Sequence, residues 1–311
     1  MRLDEGHLRQ CWFLAGPTAA GKTALSVTLA ARLNAEIVSM DSMAIYRNMN
    51  IGTAKPSAAE QQNIPHHLID IVDAHEEFSV AQYVAAAENA VAGILRRGRV
   101  PLFVGGTGLY LRSLLRGVFQ GPEADWNLRR ELQAQAESQG REWLHQQLQQ
   151  LDPVTARRLH INDMRRIIRA IEVCRLTGKP MSDQHAEHAV PPDRRPRHVY
   201  WIEPPRDQLQ QRIDQRVDAM MQAGLLQETR RLLEQQPPPG RTARQALGYR
   251  ELIDHLENGT PLDQAVDRIK LGTRQFAKRQ HTWFRNLEEC TAIAVDCSTD
   301  PEAIVERILQ Q

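Results

Sequence analysis

The run Gly16-Pro17-Thr18-Ala19-Ala20-Gly21-Lys22-Thr23 fits G-x-x-x-x-G-K-[ST] and constrains the fold more than any other stretch. It follows a short apolar run, Cys11–Ala15, and leads into a helix-forming stretch from Ala24 to Leu33. Strand, glycine loop and helix in that order build an anion nest. Backbone N–H groups converge in the loop, and the helix N-terminus adds partial positive charge. Lys22 supplies a point charge, and the Thr23 hydroxyl is a candidate Mg²⁺ ligand. The bland alternative is a strand-to-helix turn that holds no phosphate. The flanking strand and helix favour a bound di- or triphosphate.

Short apolar runs alternate with helical patterns through the first third. Strand candidates are Cys11–Ala15, Glu36–Met40, His67–Val72 and Val100–Val104, with a helical pattern over Val80–Arg97. Such alternation implies a parallel sheet covered by helices on both faces. From about Asp125 to Thr177 the chain reads as consecutive helices, and Pro180 to Pro196 reads as a polar linker. A strand returns at Val199–Ile202, a helix follows from Arg206 to about Gln235, and a last strand is expected at Ala292–Val295. The organisation predicted is α/β. A P-loop NTPase-like core over residues 1–116 and 200–311, its parallel sheet flanked by helices, is interrupted by an all-helical insertion domain over 117–199.

Composition excludes several classes. With 41% apolar and 25% charged residues, the 311-residue chain is ordinary globular material, and a net charge of +1 says nothing by itself about nucleic acid. Cys11, Cys174, Cys290 and Cys297 form no C-x₂-C pair, so reduced thiols are expected rather than zinc or disulfides. His66-His67 reads as a turn. His185 and His188 flank Glu187 without a third ligand nearby for zinc. No run approaches the roughly 18 apolar residues of a membrane span. A cytoplasmic monomer is expected.

A second constellation follows the next strand, where Asp41 falls at the C-terminal edge of Ile37-Val38-Ser39-Met40. Ligands of open α/β sheets sit at that edge. Asp41 is therefore a metal ligand, a general base, or simply a cap for the following turn. Val104-Gly105-Gly106-Thr107-Gly108 ends another strand with glycines and a hydroxyl, where backbone can approach a ligand closely.

Taken together, GPTAAGKT, SMDSMAIYRNMNIGTAKP and VGGTGLYL resemble the tRNA dimethylallyltransferases. The resemblance continues through Leu159-His160-Ile161-Asn162-Asp163 with Arg165 and Arg169, then Arg212–Val217, Ala246–Arg250 and Lys278–Arg285. Ile161 departs from the proline that commonly follows the histidine in the family. The match implies transfer of a dimethylallyl group from its diphosphate to the exocyclic N6 amine of the adenosine 3′ of the tRNA anticodon, with Mg²⁺ as cofactor. Asp41 is then the candidate general base, with Thr107 and Arg216 as its catalytic companions. Gly16, Thr18, Ala19, Ala20, Gly21, Lys22, Thr23 and Arg212 would bind the diphosphate.

An anticodon-loop adenosine must leave its stack to reach such a site. The resemblance places RNA contacts at Asp41, Ser42, Met43, Ala44 and Thr107, and in the insertion at Arg129, Arg165, Arg166 and Arg169. Further contacts are implied at Gln245, Gly248, Tyr249 and Arg250, and at Lys278, Arg279, Gln280, Thr282, Trp283 and Arg285. On a helix through 274–285, Arg274, Lys278, His281 and Arg285 form one basic stripe. Most such stripes are solvated surface; the resemblance favours an interface with the anticodon stem-loop. Three other readings compete: a P-loop kinase using Asp41 to orient a hydroxyl, an RNA-binding switch NTPase, and an enzyme prenylating free adenine nucleotides. The switch NTPase wants a second strand ending in an acid, and Val100–Val104 ends in glycines instead.

Overall fold

Six parallel strands form one sheet in the order β3-β2-β4-β1-β5-β6. They are β1 (Trp12–Ala15), β2 (Ala35–Met40), β3 (His66–His67), β4 (Val100–Gly105), β5 (His198–Glu203) and β6 (Thr291–Ala294). The computed structural model describes residues 3–184, 191, 195–296 and 299–311. His185, Glu187, His188, Cys297 and part of the expected linker lie outside the described residues.

Two compact units divide the chain: Arg2–Arg116 with Val190–Gln311, and Gly117–Ala189. The larger holds the sheet. All six residues of β2 are buried, as helices on both faces of a parallel sheet require. One core joins Leu14, Ile37, Leu102 and Ile202 of the sheet to Leu25 and Leu29, and to Ile304 and Ile308 of the helix Pro301–Leu309. A second core gathers Ile45, Tyr46, Val217, Leu225, Tyr249, Leu252 and Ile269. Glu36, a buried carboxylate at the start of β2, is neutralised by Arg97 Nε and Nη2 at 2.9 and 2.6 Å and by His67 Nε2 at 2.6 Å.

The register decides where chemistry can occur. Ala15 pairs with Gly105, and Gly105 pairs with Met40. The C-terminal ends of β1, β4 and β2 therefore lie in one row. The loops that follow, starting at Gly16, Gly106 and Asp41, emerge side by side.

Three elements differ from expectation. The strand expected over His67–Val72 shrinks to His66–His67, because Leu68 (φ 61°) and Asp70 (φ 55°) turn left-handed. From Asp70 the chain runs beside Ala44–Tyr46, with Asp70 N–H donating to Ala44 O at 3.2 Å, Ile71 N–H to Ile45 O at 2.9 Å, and Val72 forming an isolated bridge to Tyr46. The single helix expected from Arg206 is two, Arg206–Gln222 and Leu225–Leu233, broken where Gly224 takes φ 98°. The last strand is Thr291–Ala294, one residue earlier than expected.

The smaller unit is helical: Trp126–Gln139, Arg141–Leu151, Pro153–Arg158, Met164–Thr177 and Met181–Gln184. Leu132, Leu144, Leu148, Ile167 and Ile171 form its core at helical spacing. At its edge the fully buried Glu172 accepts two bonds from Arg129, both at 2.8 Å, and the Asp125 N–H at 2.8 Å. Arg169 also pairs with Glu172 and donates to Pro122 O at 2.9 Å. Among the described residues, no helix is long and apolar enough to cross a membrane.

Candidate active site

The phosphate loop runs from Gly16 into the helix Lys22–Leu33, whose N-cap Gly21 holds φ 85°. That conformation costs a glycine little and other residues much, which explains the residue type at this turn. The first N–H groups of the helix have no intrahelical acceptors and open toward the end of the sheet. Lys22 Nζ folds back onto its own loop, donating to Gly16 O at 2.9 Å and Pro17 O at 2.7 Å. Burial, and then the nearby Arg216 guanidinium, push the Lys22 ammonium down to about 7, with the Asp41 carboxylate opposing them. Burial likewise lowers Arg216, again against Asp41. The three charges share one partly desolvated electrostatic neighbourhood.

Asp41 does act as a cap. Its Oδ1 accepts the N–H groups of Met43 at 2.8 Å and Ala44 at 3.2 Å. The second oxygen, Oδ2, takes no hydrogen bond from the described residues, so capping leaves half of the carboxylate available. Thr107 lies alongside: its Oγ1 accepts the Ser42 N–H at 3.1 Å, and its own N–H donates to Met40 O at 3.1 Å. The glycines before it are demanded by contact, since a Cβ on Gly105 would lie 2.2 Å from Met40 O. Arg212 and Arg216 sit one turn apart on Arg206–Gln222, and an Arg212 Nη1 lies 3.5 Å from where a Gly21 Cβ would be. The helix is braced against Leu262–Arg285 by Asp214–Arg274, with Nε–Oδ1 at 2.9 Å, and by Asp218–Lys270 at 2.6 Å.

Several residues expected at an RNA surface are placed otherwise. Tyr249 is fully buried and donates its hydroxyl to Glu228 Oε1 at 2.6 Å. Gly248 is buried too, its N–H held by Glu251 Oε2 at 2.9 Å. Ala44 and Gln280 are buried, and the Gln280 amide binds Thr18 N and Gly106 O. Trp283 packs its side chain over Gly108. Arg129 and Arg169 are committed to Glu172, and Arg250 pairs with Glu251. The basic stripe is shorter than expected, because Arg274 pairs with Asp214 and His281 with Glu203. Residues that remain exposed are Arg165, Arg166, Gln245, Arg250, Lys278, Arg279, Thr282 and Arg285, with Arg166 and Arg250 each paired to a neighbouring acid, Asp163 and Glu251.

Sequence reasoning missed Glu228. Its carboxylate accepts the N–H groups of Asn50, Ile51 and Gly52 at 2.9–3.2 Å, which fixes the loop after Asp41. A glutamate in a charged helix carries no signal of burial.

His66 and His67 are strand β3 rather than the turn expected, paired to Ile37 and Val38, with their rings on Ile64 O at 2.7 Å and Glu36 Oε2 at 2.6 Å. No group of three His, Cys, Asp or Glu suited to a metal occurs among the described residues. Mg²⁺ needs none, since it is typically held by one or two protein oxygens together with phosphates and water. The Thr23 hydroxyl, on the first turn beside the anion nest, is an oxygen of that kind, so the residues present fit a phosphate-borne Mg²⁺.

The family model described as IPP transferase matches residues 44–287. This chain belongs to the IPP transferase family. The IPP transferase chain is 47% identical over 302 residues to the tRNA dimethylallyltransferase of Desulforudis audaxviator, covering 95% of each. It is 49% identical over 292 residues to that of Symbiobacterium thermophilum, covering 93% of this chain and 90% of the relative. Among solved structures it is similar to the full-length tRNA isopentenylpyrophosphate transferase of Bacillus halodurans. The TM-score is 0.70 at 39% identity, over 97% and 95% of the two chains. A eukaryotic dimethylallyltransferase acting on tRNA gives 0.72 at 30% identity, over 92% of this chain and 73% of that one. The IPP transferase fold here is thus P-loop NTPase-like, and the chain is an enzyme of the transferase class.

Proposed function

We propose that this chain transfers a dimethylallyl group from dimethylallyl diphosphate to the N6 amine of the adenosine 3′ of a tRNA anticodon, releasing diphosphate. The observation that carries the reading is the row of three loops. An anion nest with Lys22 and Arg216 stands beside a carboxylate that keeps one oxygen unbonded, and both stand beside the Thr107 hydroxyl.

In this reading the allylic C–O bond breaks as the N6–C bond forms, and the amine loses one proton. Asp41 accepts that proton through Oδ2 while Oδ1 stays fixed by Met43 and Ala44. Thr107, held by the Ser42 N–H, orients the amine. Lys22, Arg212, Arg216 and the loop amides take up the charge that accumulates on the leaving diphosphate. Mg²⁺, held by Thr23 and phosphate oxygens, would supply further positive charge there.

The adenosine is extruded from the anticodon loop into the cleft, as base-modifying enzymes require. Lys278, Arg279, Thr282 and Arg285 on one helix, Gln245, and Arg165 with Arg166 on the helical unit are the exposed groups offered to the anticodon stem-loop. The enzyme works as a cytoplasmic monomer.

The deciding experiment incubates the protein with Mg²⁺ and unmodified tRNA, plus radiolabelled dimethylallyl diphosphate or ATP. Label entering tRNA from the prenyl donor alone is expected. Label transferred only from ATP would return the kinase reading.

A further inference from the structure

Gln280 lies in a segment expected to contact RNA, between exposed Arg279 and partly exposed His281, yet it is itself only 5% exposed. Both ends of its amide are used. Oε1 accepts the Thr18 N–H at 2.9 Å, and Nε2 donates to Gly106 O at 2.8 Å. The orientation follows from chemistry: a backbone N–H needs an acceptor and a carbonyl needs a donor, so the oxygen must face Thr18. The seat is also tight. A Cβ on Gly106 would lie 2.2 Å from Nε2, so the amide fits only because residue 106 has no side chain.

We propose that Gln280 is a positioning residue for the donor end of the reaction, clamping the phosphate loop to the loop after β4 and so setting the shape of the diphosphate nest. It draws on the prenyl-transfer reading only for the donor's identity. The clamp takes the Thr18 N–H out of the set offered to the anion. It also anchors the loop one residue before Ala19, which holds a left-handed φ of 63°. What remains to face the diphosphate is the turn from Ala19 and the start of Lys22–Leu33. At its other end the amide fixes the residue before Thr107, so one side chain ties the anion nest to the group offered to the acceptor amine. A contact to RNA would require an accessible amide with a free donor or acceptor pointing outward; this one is enclosed and spoken for.

The test titrates the full chain with inorganic diphosphate and Mg²⁺ by calorimetry, alongside tRNA binding by filter retention and thermal unfolding. The proteins are wild type, Gln280→Met, Gln280→Glu and Gly106→Ala. Gln280→Met keeps the shape and strands two buried backbone groups. It should weaken diphosphate binding about tenfold or more, with tRNA affinity held within about twofold. Gly106→Ala evicts the amide from the opposite side and should give the same pattern. Gln280→Glu keeps the acceptor for Thr18, loses the donor to Gly106 O and adds negative charge beside the nest, so it should bind diphosphate more weakly than Gln280→Met.

The proposal is overturned if folded Gln280→Met keeps its diphosphate affinity, if it loses tRNA affinity instead, or if only its melting temperature moves. Should Gln280→Met not fold, Gln280→Glu decides on the same terms. A wild type that binds inorganic diphosphate but prenylates no RNA removes the prenyl-transfer reading and leaves the clamp standing. A wild type that binds no diphosphate removes the nest and the clamp with it.

Discussion

The Tyr249 hydroxyl donates to Glu228 Oε1 at 2.6 Å, and the same carboxylate receives three consecutive backbone N–H groups from Asn50 to Gly52. A Cβ on Gly52 would lie 2.4 Å from the Tyr249 ring, so ring, carboxylate and loop are fitted to one another. The loop they fix is the one that leaves Asp41.

Tyr249→Phe removes one donor to a carboxylate that keeps three others. It should cost about 1–2 kcal/mol in urea unfolding and leave tRNA affinity unchanged. Weaker tRNA binding without a stability loss would return Tyr249 to the RNA surface.

Asp41→Asn separates the two roles of that side chain. Asparagine still offers an oxygen to Met43 and Ala44 but cannot take a proton, so single-turnover rates should fall by about 10²–10⁴ with diphosphate affinity and melting temperature retained. Near wild-type turnover in this variant would leave Asp41 as a cap alone.

Lys22 gives the pH dependence. In the free protein its ammonium is held down to about 7, first by burial and then by Arg216. Below that pH the charge that attracts diphosphate is already present. Above it a proton must be taken up on binding, so diphosphate affinity should fall by up to about tenfold per pH unit. Lys22→Arg keeps its charge throughout. Calorimetry from pH 6 to 9 on both proteins isolates the lysine, because the ligand's own titration is common to them. Parallel profiles would refute the assignment.

The arginines of the helical unit should divide by partner. Arg165 is exposed, and its loss should reduce the slope of log Kd for tRNA against log salt by roughly one. Lys278→Ala and Arg285→Ala should do the same. Arg169→Ala instead leaves Glu172 short of a cation, so the main loss should appear in unfolding of the protein. Equal salt slopes for wild type and Arg165→Ala would make that residue ordinary solvated surface.

The sheet and the three loops at its edge were legible because each carries a local pattern: apolar runs, glycines, a hydroxyl, one acid after Met40. What escaped was set by distance along the chain. Tyr249, Gln280, Glu228 and Glu172 are polar letters in charged helices, and nothing local separates a buried hub from a solvated face. Burial of Gln280 depends on Thr18 and Gly106, and that of Glu228 on Asn50 to Gly52, which only the folded chain brings near. The strand expected over His67–Val72 failed for a related reason. Its composition suits a strand, but left-handed Leu68 and Asp70 turn the backbone away.

The Thr18–Gln280 bond joins residues 262 positions apart. On the ribosome, β1, β2 and β4 can pair while the polypeptide is less than half made, as domains form from the N-terminal side during synthesis. The nest at their edge then exists in outline with its loop unclamped. Its final shape waits for Leu262–Arg285, the helix that also carries Lys278 and Arg285. The phosphate loop of a nascent protein is therefore clamped only when this basic helical segment arrives, late in translation.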